Sequence, residues 1–147
     1  MHMKDLVNQP IQCENWLIRE NLKYDQNNFW IRIEDRLASI GLSDYGQWVI
    51  GDILYLDLAP EGATIVRGEK FGSVESGKWV GNLIAPVNGR VLECNPLVVS
   101  EPRQIQVDPY GTGWIMKVEL VSDDEIGSLL DHATYVEFIK EQMNKAA

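Results

Sequence analysis

A lysine set between turn formers is the residue of this chain best placed to do chemistry. Lys78 lies in the stretch Phe71-Gly72-Ser73-Val74-Glu75-Ser76-Gly77-Lys78-Trp79-Val80-Gly81. A short alternating run leads to the turn formers Ser76 and Gly77, and a second short run after Lys78 ends at Ala85-Pro86. This pattern predicts a β-hairpin with Lys78 at its tip, a free amine held in solvent on a rigid stalk. Acylation of such an amine removes its charge. The lysine stem and an acyl chain together then reach on the order of 10–15 Å, enough to move an end group between sites on other proteins. A solvated turn lysine without further role has the same spacing, so spacing alone leaves both readings open.

Other chemistry is thinly supplied. The histidines are His2 and His132, and no nucleophile is placed toward either by sequence. The acidic pairs Glu34-Asp35 and Asp123-Asp124 read as solvated turn charges. Gly111-Thr112-Gly113 is too short for a phosphate loop and opens a strand where such a loop needs a helix. Cys13 and Cys94 are far apart and share no metal-ligand spacing, so they read as separate thiols, with a disulfide or redox role as the alternative. No metal site is expected.

The chain has 147 residues, a net charge of −9, 45% hydrophobic and 24% charged residues. That suits one globular domain spanning 1–147, with a core over about 28–120 and a helical segment over about 122–144. The acidity argues against nucleic-acid binding, which needs clustered Lys and Arg. No apolar run approaches a membrane span and no signal segment opens the chain, so a cytoplasmic protein without membrane insertion is expected.

The elements that must position Lys78 follow from periodicity. Residues 1–20 read as an irregular or briefly helical arm. Asn28–Glu34 reads as a strand, with Phe29, Ile31 and Ile33 on one face and Trp30 and Arg32 on the other. Arg36–Leu42 reads as a strand broken at Gly41, and Ser43–Gly46 as a turn that can open into a helical turn. Ile53–Leu58 alternates, with Ile53, Tyr55 and Asp57 on one face, the wetter, and Leu54, Leu56 and Leu58 on the other. Ala63–Val66, Lys70–Glu75 and Val80–Ile84 follow as strands. Asn88-Gly89 is the strongest two-residue hairpin signal and requires positive φ at both positions, with Arg90–Cys94 as the returning strand. Residues 95–113 read as loop, and Trp114–Leu120 as the last strand. Ser122-Asp123-Asp124-Glu125 has capping-box spacing, and a second helix start falls at Asp131, followed by a stripe of Tyr135, Val136, Phe138, Ile139 and Met143. Many short strands with frequent turns indicate a mainly β barrel or sandwich with a C-terminal helix packed on it.

Several ordered motifs now carry a specific likeness. Phe71 to Lys78, then Ala85-Pro86-Val87-Asn88-Gly89-Arg90-Val91, then Asp108-Pro109-Tyr110-Gly111-Thr112-Gly113-Trp114 resemble the H protein of the glycine cleavage system. Ile40-Gly41-Leu42-Ser43-Asp44-Tyr45-Gly46-Gln47, Gly51-Asp52-Ile53 and Leu58-Ala59-Pro60-Glu61-Gly62 are similar to the same family in the same order. The resemblance implies a flattened β-barrel or sandwich of the lipoyl/biotinyl hybrid type. It implies a non-catalytic carrier with lipoic acid joined as an amide to Lys78. It implies a lipoate ligase or lipoyl transferase as modifying partner, and Glu75 matches an acidic position that family members present to such partners. The remaining partners it implies are glycine decarboxylase, an aminomethyltransferase and dihydrolipoamide dehydrogenase.

The chain departs from the family beside the lysine. Gly77 and Trp79 stand where family members usually have Val and Ala, and a His-Glu-Trp run near the first strand is here Asn28-Phe29-Trp30. Glycine should loosen the turn, and Trp79 should shield the arm's end group, meet a partner or pack over the barrel edge. A related group accommodates these departures: H-protein-like lipoate-binding proteins that carry sulfur for a heterodisulfide-reductase-like complex. A biotinyl carrier domain and an unmodified interaction protein are the further alternatives.

Overall fold

The structure, a computed structural model, describes residues 11–13 and 16–146. Among the described residues, eleven antiparallel strands are interrupted by helices. In chain order they are β1 (Ile11–Cys13), β2 (Trp16–Ile18), β3 (Lys23–Tyr24), β4 (Phe29–Glu34), β5 (Leu37–Leu42), helix α1 (Asp44–Ile50), β6 (Ile53–Leu58), β7 (Thr64–Ile65), β8 (Lys70–Ser76), β9 (Val80–Ile84), β10 (Gly89–Cys94), α2 (Pro96–Ser100), α3 (Gln104–Val107), β11 (Met116–Leu120), a 3-10 turn (Ile126–Ser128) and α4 (His132–Ala146). A six-stranded sheet runs β3-β4-β5-β11-β10-β7 and a three-stranded sheet runs β6-β8-β9.

The two sheets close on one apolar core. Phe29, Ile31, Ile40, Val91 and Val118 enter it from the larger sheet, and Ile53, Phe71, Val74 and Leu83 from the smaller. The Phe29 and Phe71 rings meet across it with centroids 5.5 Å apart. The alternation read from Phe29 to Ile33 holds: Trp30, on the opposite face, joins a second cluster with Trp16, Tyr24, Tyr110 and Tyr135 beneath α4. This is the sandwich with a C-terminal helix that the sequence indicates. No helix among the described residues is long and apolar enough to cross a membrane.

Local expectations fail at identifiable places. The N-terminal arm contributes β1 paired to β2 (Ile11 opposite Ile18), strands too short for alternation to show; residues 1–10 and 14–15 of that arm lie outside the described residues. β5 runs through Gly41 unbroken because the glycine makes room for a ring: a Cβ there would lie 2.5 Å from Trp30 Cε2. Ile53 is buried while Tyr55 is exposed, because a bulge between them shifts the register against β8.

Asn88-Gly89 is not a hairpin turn. Neither residue has positive φ, and β9 and β10 belong to different sheets. Gly89 serves a close approach instead, since a Cβ would lie 2.4 Å from the Glu119 carbonyl oxygen on β11. Residues 95–113 are more ordered than a loop, holding α2 and α3, with Asn95 Oδ1 accepting from Leu97 N as the α2 cap. Ser122 does not open a helix with Glu125. The Glu125 carboxylate accepts from Asn88 N at 2.7 Å and Asn88 Nδ2 at 2.8 Å, which takes it away from a capping role. The later start holds: Asp131 Oδ1 accepts from Thr134 N at 2.8 Å at the head of α4.

Candidate functional site

The site is built at the β8–β9 tip. Val74 opposes Gly81 and Glu75 opposes Val80 in register, so the chain must reverse between Ser76 and Val80. Ser76 does the closing. Its N–H donates to the Trp79 carbonyl at 2.7 Å. Ser76 is 6% exposed, and its hydroxyl accepts from Trp79 N at 2.9 Å and Lys78 N at 3.3 Å. A side-chain oxygen bonding amides two and three residues ahead is the Ser-turn device. Gly77 N–H donates to the Asp52 carbonyl at 3.2 Å, tying the tip to the start of β6. The backbone at Lys78 is therefore pinned on both sides.

Lys78 itself is exposed and forms no ion pair with a described residue. Gly77 does not have positive φ and a Cβ on it would meet nothing within 4 Å. Glycine is thus not demanded by this turn, and the tip is held by Ser76 and Asp52 despite it. Glu75 is exposed on β8, between Tyr55 on β6 and Val80 on β9, which are 68% and 73% exposed. A carboxylate between two solvent-facing apolar side chains is a surface suited to contact with another protein.

Helix α1 separates the surroundings of Lys78 from those of Trp79. It begins at Ser43, whose Oγ accepts from Gly46 N at 2.9 Å. The buried Tyr135 hydroxyl of α4 braces that cap, 2.6 Å from Ser43 Oγ and donating to Asn28 Oδ1 at 2.9 Å. Burial pushes the Tyr135 phenol well above its usual range, so it stays protonated. At the other end, Gln106 of α3 donates to the Gly51 carbonyl at 2.9 Å and accepts from Ile53 N at 3.2 Å.

Helical spacing then gives α1 two faces. Gly46, Val49 and Ile50 line a cavity of about 250 Å³ together with Phe29, Trp79 and Asn82. Among the described residues, no ionisable side chain lines it. Gln47, Trp48, Gly51, Asp52 and Gln106 line an open groove of about 410 Å³ that contains Lys78. Trp79, 43% exposed, lies back along its own strand: a Cβ on Gly81 would come 2.3 Å from the Trp79 ring. Trp79 therefore packs at the barrel edge and walls the cavity, while Lys78, its neighbour, occupies the groove.

Sequence reading missed Trp48, Gly51 and Gln106. Gly51 has φ +84 and lies under the Lys78 stem, and Trp48 lies under the amine, with Nζ 5.6 Å from the ring centroid. The only advance signal was an apolar residue at a helix position that the core does not use. Elsewhere, His132 Nε2 is 3.6 Å from Glu20 Oε1, and Cys94 Sγ lies 3.3 Å from the Ala59 carbonyl, its thiol pushed up by burial. No metal-binding cluster occurs among the described residues.

Comparison with known proteins places this geometry. The sequence model of the family described as glycine cleavage H-protein matches residues 22–142. The glycine cleavage system H protein of Carboxydothermus hydrogenoformans is 36% identical over 86% of this chain and 97% of that protein. That of Symbiobacterium thermophilum is 40% identical over 82% of this chain and 94% of that protein. Among solved structures, a glycine cleavage system H protein from Mycobacterium marinum superposes with a TM-score of 0.75 at 31% identity, covering 85% of this chain and 98% of that one.

Proposed function

This chain belongs to the glycine cleavage H-protein family, and from that premise we propose that it is a lipoyl carrier of the H-protein type whose arm is amide-linked to Lys78. The observation that carries the assignment to Lys78 is its place: an exposed amine, free of ion pairs with described residues, on a backbone held by Ser76 and Asp52. The surroundings fit an acyl arm. The nitrogen opens onto a groove with room around it, and the glycine beneath the stem leaves space for the first methylenes. A bound lipoyl group supplies a disulfide–dithiol pair that takes up a substrate group and two electrons.

The chain's own contribution is position. Ser76 fixes where the arm starts, and Gly51 keeps the path of the stem clear. Glu75, flanked by Tyr55 and Val80, gives the modifying ligase or transferase an exposed carboxylate next to the tip. Gly77 and Trp79 shape the two sides of the lysine that partners meet. The partners we assign are those of glycine cleavage: a decarboxylase that loads the arm, an aminomethyltransferase that unloads it, and a dehydrogenase that reoxidises it. The relatives and the solved structure reported above are all glycine cleavage H proteins, so the sulfur-carrying alternative is not favoured.

The test is intact mass after expression with lipoate and a competent ligase. A lipoyl increment in the native chain, absent in Lys78→Arg, is expected. An increment that persists in Lys78→Arg, or its absence from the native chain while a control carrier is modified, overturns the assignment.

A further inference from the structure

Lys78 is exposed, yet its side chain lies against two residues of the groove. Its stem crosses Gly51 closely enough that a Cβ there would come within 2.8 Å of Lys78 Cε. Its Nζ then lies over the Trp48 ring, 5.6 Å from the centroid. That ring is held from behind by Trp16 at 4.9 Å and Tyr45 at 6.2 Å, and 54% of the residue is open to solvent. Among the described residues, Asp52 is the one ionisable side chain besides Lys78 that lines this groove, and it forms no ion pair with Lys78. The attraction that orders the amine is therefore that of a cation for an aromatic face.

We propose that Trp48 is a charge-dependent latch for the arm lysine, holding the ammonium form against its ring and releasing the nitrogen once it is acylated. This inference rests on Lys78 being the attachment residue and adds a positioning residue to that site. The ring's quadrupole attracts the ammonium and has no comparable hold on a neutral amide. It also keeps the nitrogen against the ring face, where an acyl donor approaches it from fewer directions. In acylation the Nζ lone pair forms the bond to the acyl carbon. The bond from that carbon to its leaving group breaks with the electron pair, and the nitrogen's proton passes to the buffer. The amine gives up its charge to become the nucleophile, and the amide makes that loss permanent, so modification fixes the released state. The protein consequently shows two surfaces: one face of Trp48 occupied by the lysine amine before modification, and free of it afterwards.

A chemical acyl donor tests the latch without any ligase. The intact protein, Trp48→Leu and Trp48→Phe are treated with limiting N-hydroxysuccinimidyl acetate. Acetylation of Lys78 is then read by peptide mass spectrometry relative to Lys70 in the same molecule. Removing an exposed cation–aromatic contact should raise the Lys78:Lys70 ratio about two- to fivefold in Trp48→Leu, with Trp48→Phe between the two. The Trp48 indole N–H signal, assigned in the intact protein, should move in Lys78→Gln and stay in place in Lys78→Arg, which keeps the cation. That measurement does not depend on the Trp48 variants folding. An unchanged acetylation ratio in both folded variants overturns the latch, and so does an indole signal that ignores Lys78→Gln. Neither readout involves lipoate, so a chain that resists lipoylation would sink the attachment proposal and leave the latch separately measurable.

Discussion

Replacing Ser76 by Ala removes one oxygen and should loosen the base of the arm without dismantling the hairpin. The Ser76 hydroxyl accepts from Trp79 N at 2.9 Å and from Lys78 N at 3.3 Å. The residue is 6% exposed, so water reaches its place poorly. A net intramolecular hydrogen bond is worth roughly 0.5–1.5 kcal/mol, and the longer of the two counts at the low end. The sum is a loss of about 1–2 kcal/mol. The backbone bond from Ser76 N to the Trp79 carbonyl at 2.7 Å survives the change, so strand pairing should persist. Urea unfolding followed by tryptophan fluorescence should show a lower midpoint with the same slope. Amide hydrogen exchange should speed up at Trp79 and Lys78 more than in β4 or β5, and Ser76→Thr, which keeps the hydroxyl, should restore most of the protection. If Ser76→Ala unfolds at the native midpoint and the Trp79 amide exchanges as before, the hydroxyl does not hold the tip and the account of the arm's base is wrong.

Two further predictions rest on local backbone and charge. Gly77→Ala should stabilise the protein by about 0.4–1 kcal/mol through a less flexible unfolded chain, since the native φ is not positive and the added methyl meets nothing within 4 Å; a lowered urea midpoint would contradict this. Asp25 has its carboxyl pushed from 3.8 up to about 6, chiefly by desolvation and against the hydrogen bonds from Phe29 N and Asn27 N. A raised folded value means that the folded state holds the extra proton between roughly pH 4 and 6, so the stability this group gives at lower pH is lost as pH rises through about 6. Asp25→Asn keeps an oxygen acceptor and should flatten that decline; parallel stability-versus-pH curves for the two proteins would refute it.

Much of the fold was legible because one-sided burial leaves a period. Phe29, Ile31 and Ile40 alternate with the other face of their strands and enter the core as the pattern requires. Tyr135 and Ile139 recur at helical spacing and are buried in α4. The errors came where a residue type has two uses. Glycine marks a turn by its φ freedom and a close approach by its missing Cβ. Gly41 and Gly89 serve the second use, against Trp30 and the Glu119 carbonyl, and both looked like the first. Glu125 had the spacing to cap a helix, but its carboxylate is taken by Asn88 N and Asn88 Nδ2. Such competition is decided by tertiary contacts that no local window contains.

The candidate site divides the same way. A lysine at a hairpin tip is a local fact, and Ser76, Gly77 and the flanking strands announce it. What the lysine rests on is not local, because Trp48 is thirty positions away on a different element and touches Lys78 only after α1 has packed beside the β8–β9 tip. The ordering of that contact also depends on Gln106, whose side chain ties the Gly51 carbonyl to Ile53 N and so sets where the groove floor lies. Adjacent residues consequently face different chemistry: Lys78 meets an aromatic face in a groove that Asp52 also lines, while Trp79 closes a cavity that no ionisable group among the described residues lines. A helix of seven residues with two used faces produces that difference. It follows that changes to α1 on the Trp48 side should alter the reactivity of the free amine, whereas changes on the Val49 side should alter only what the cavity beside Trp79 admits.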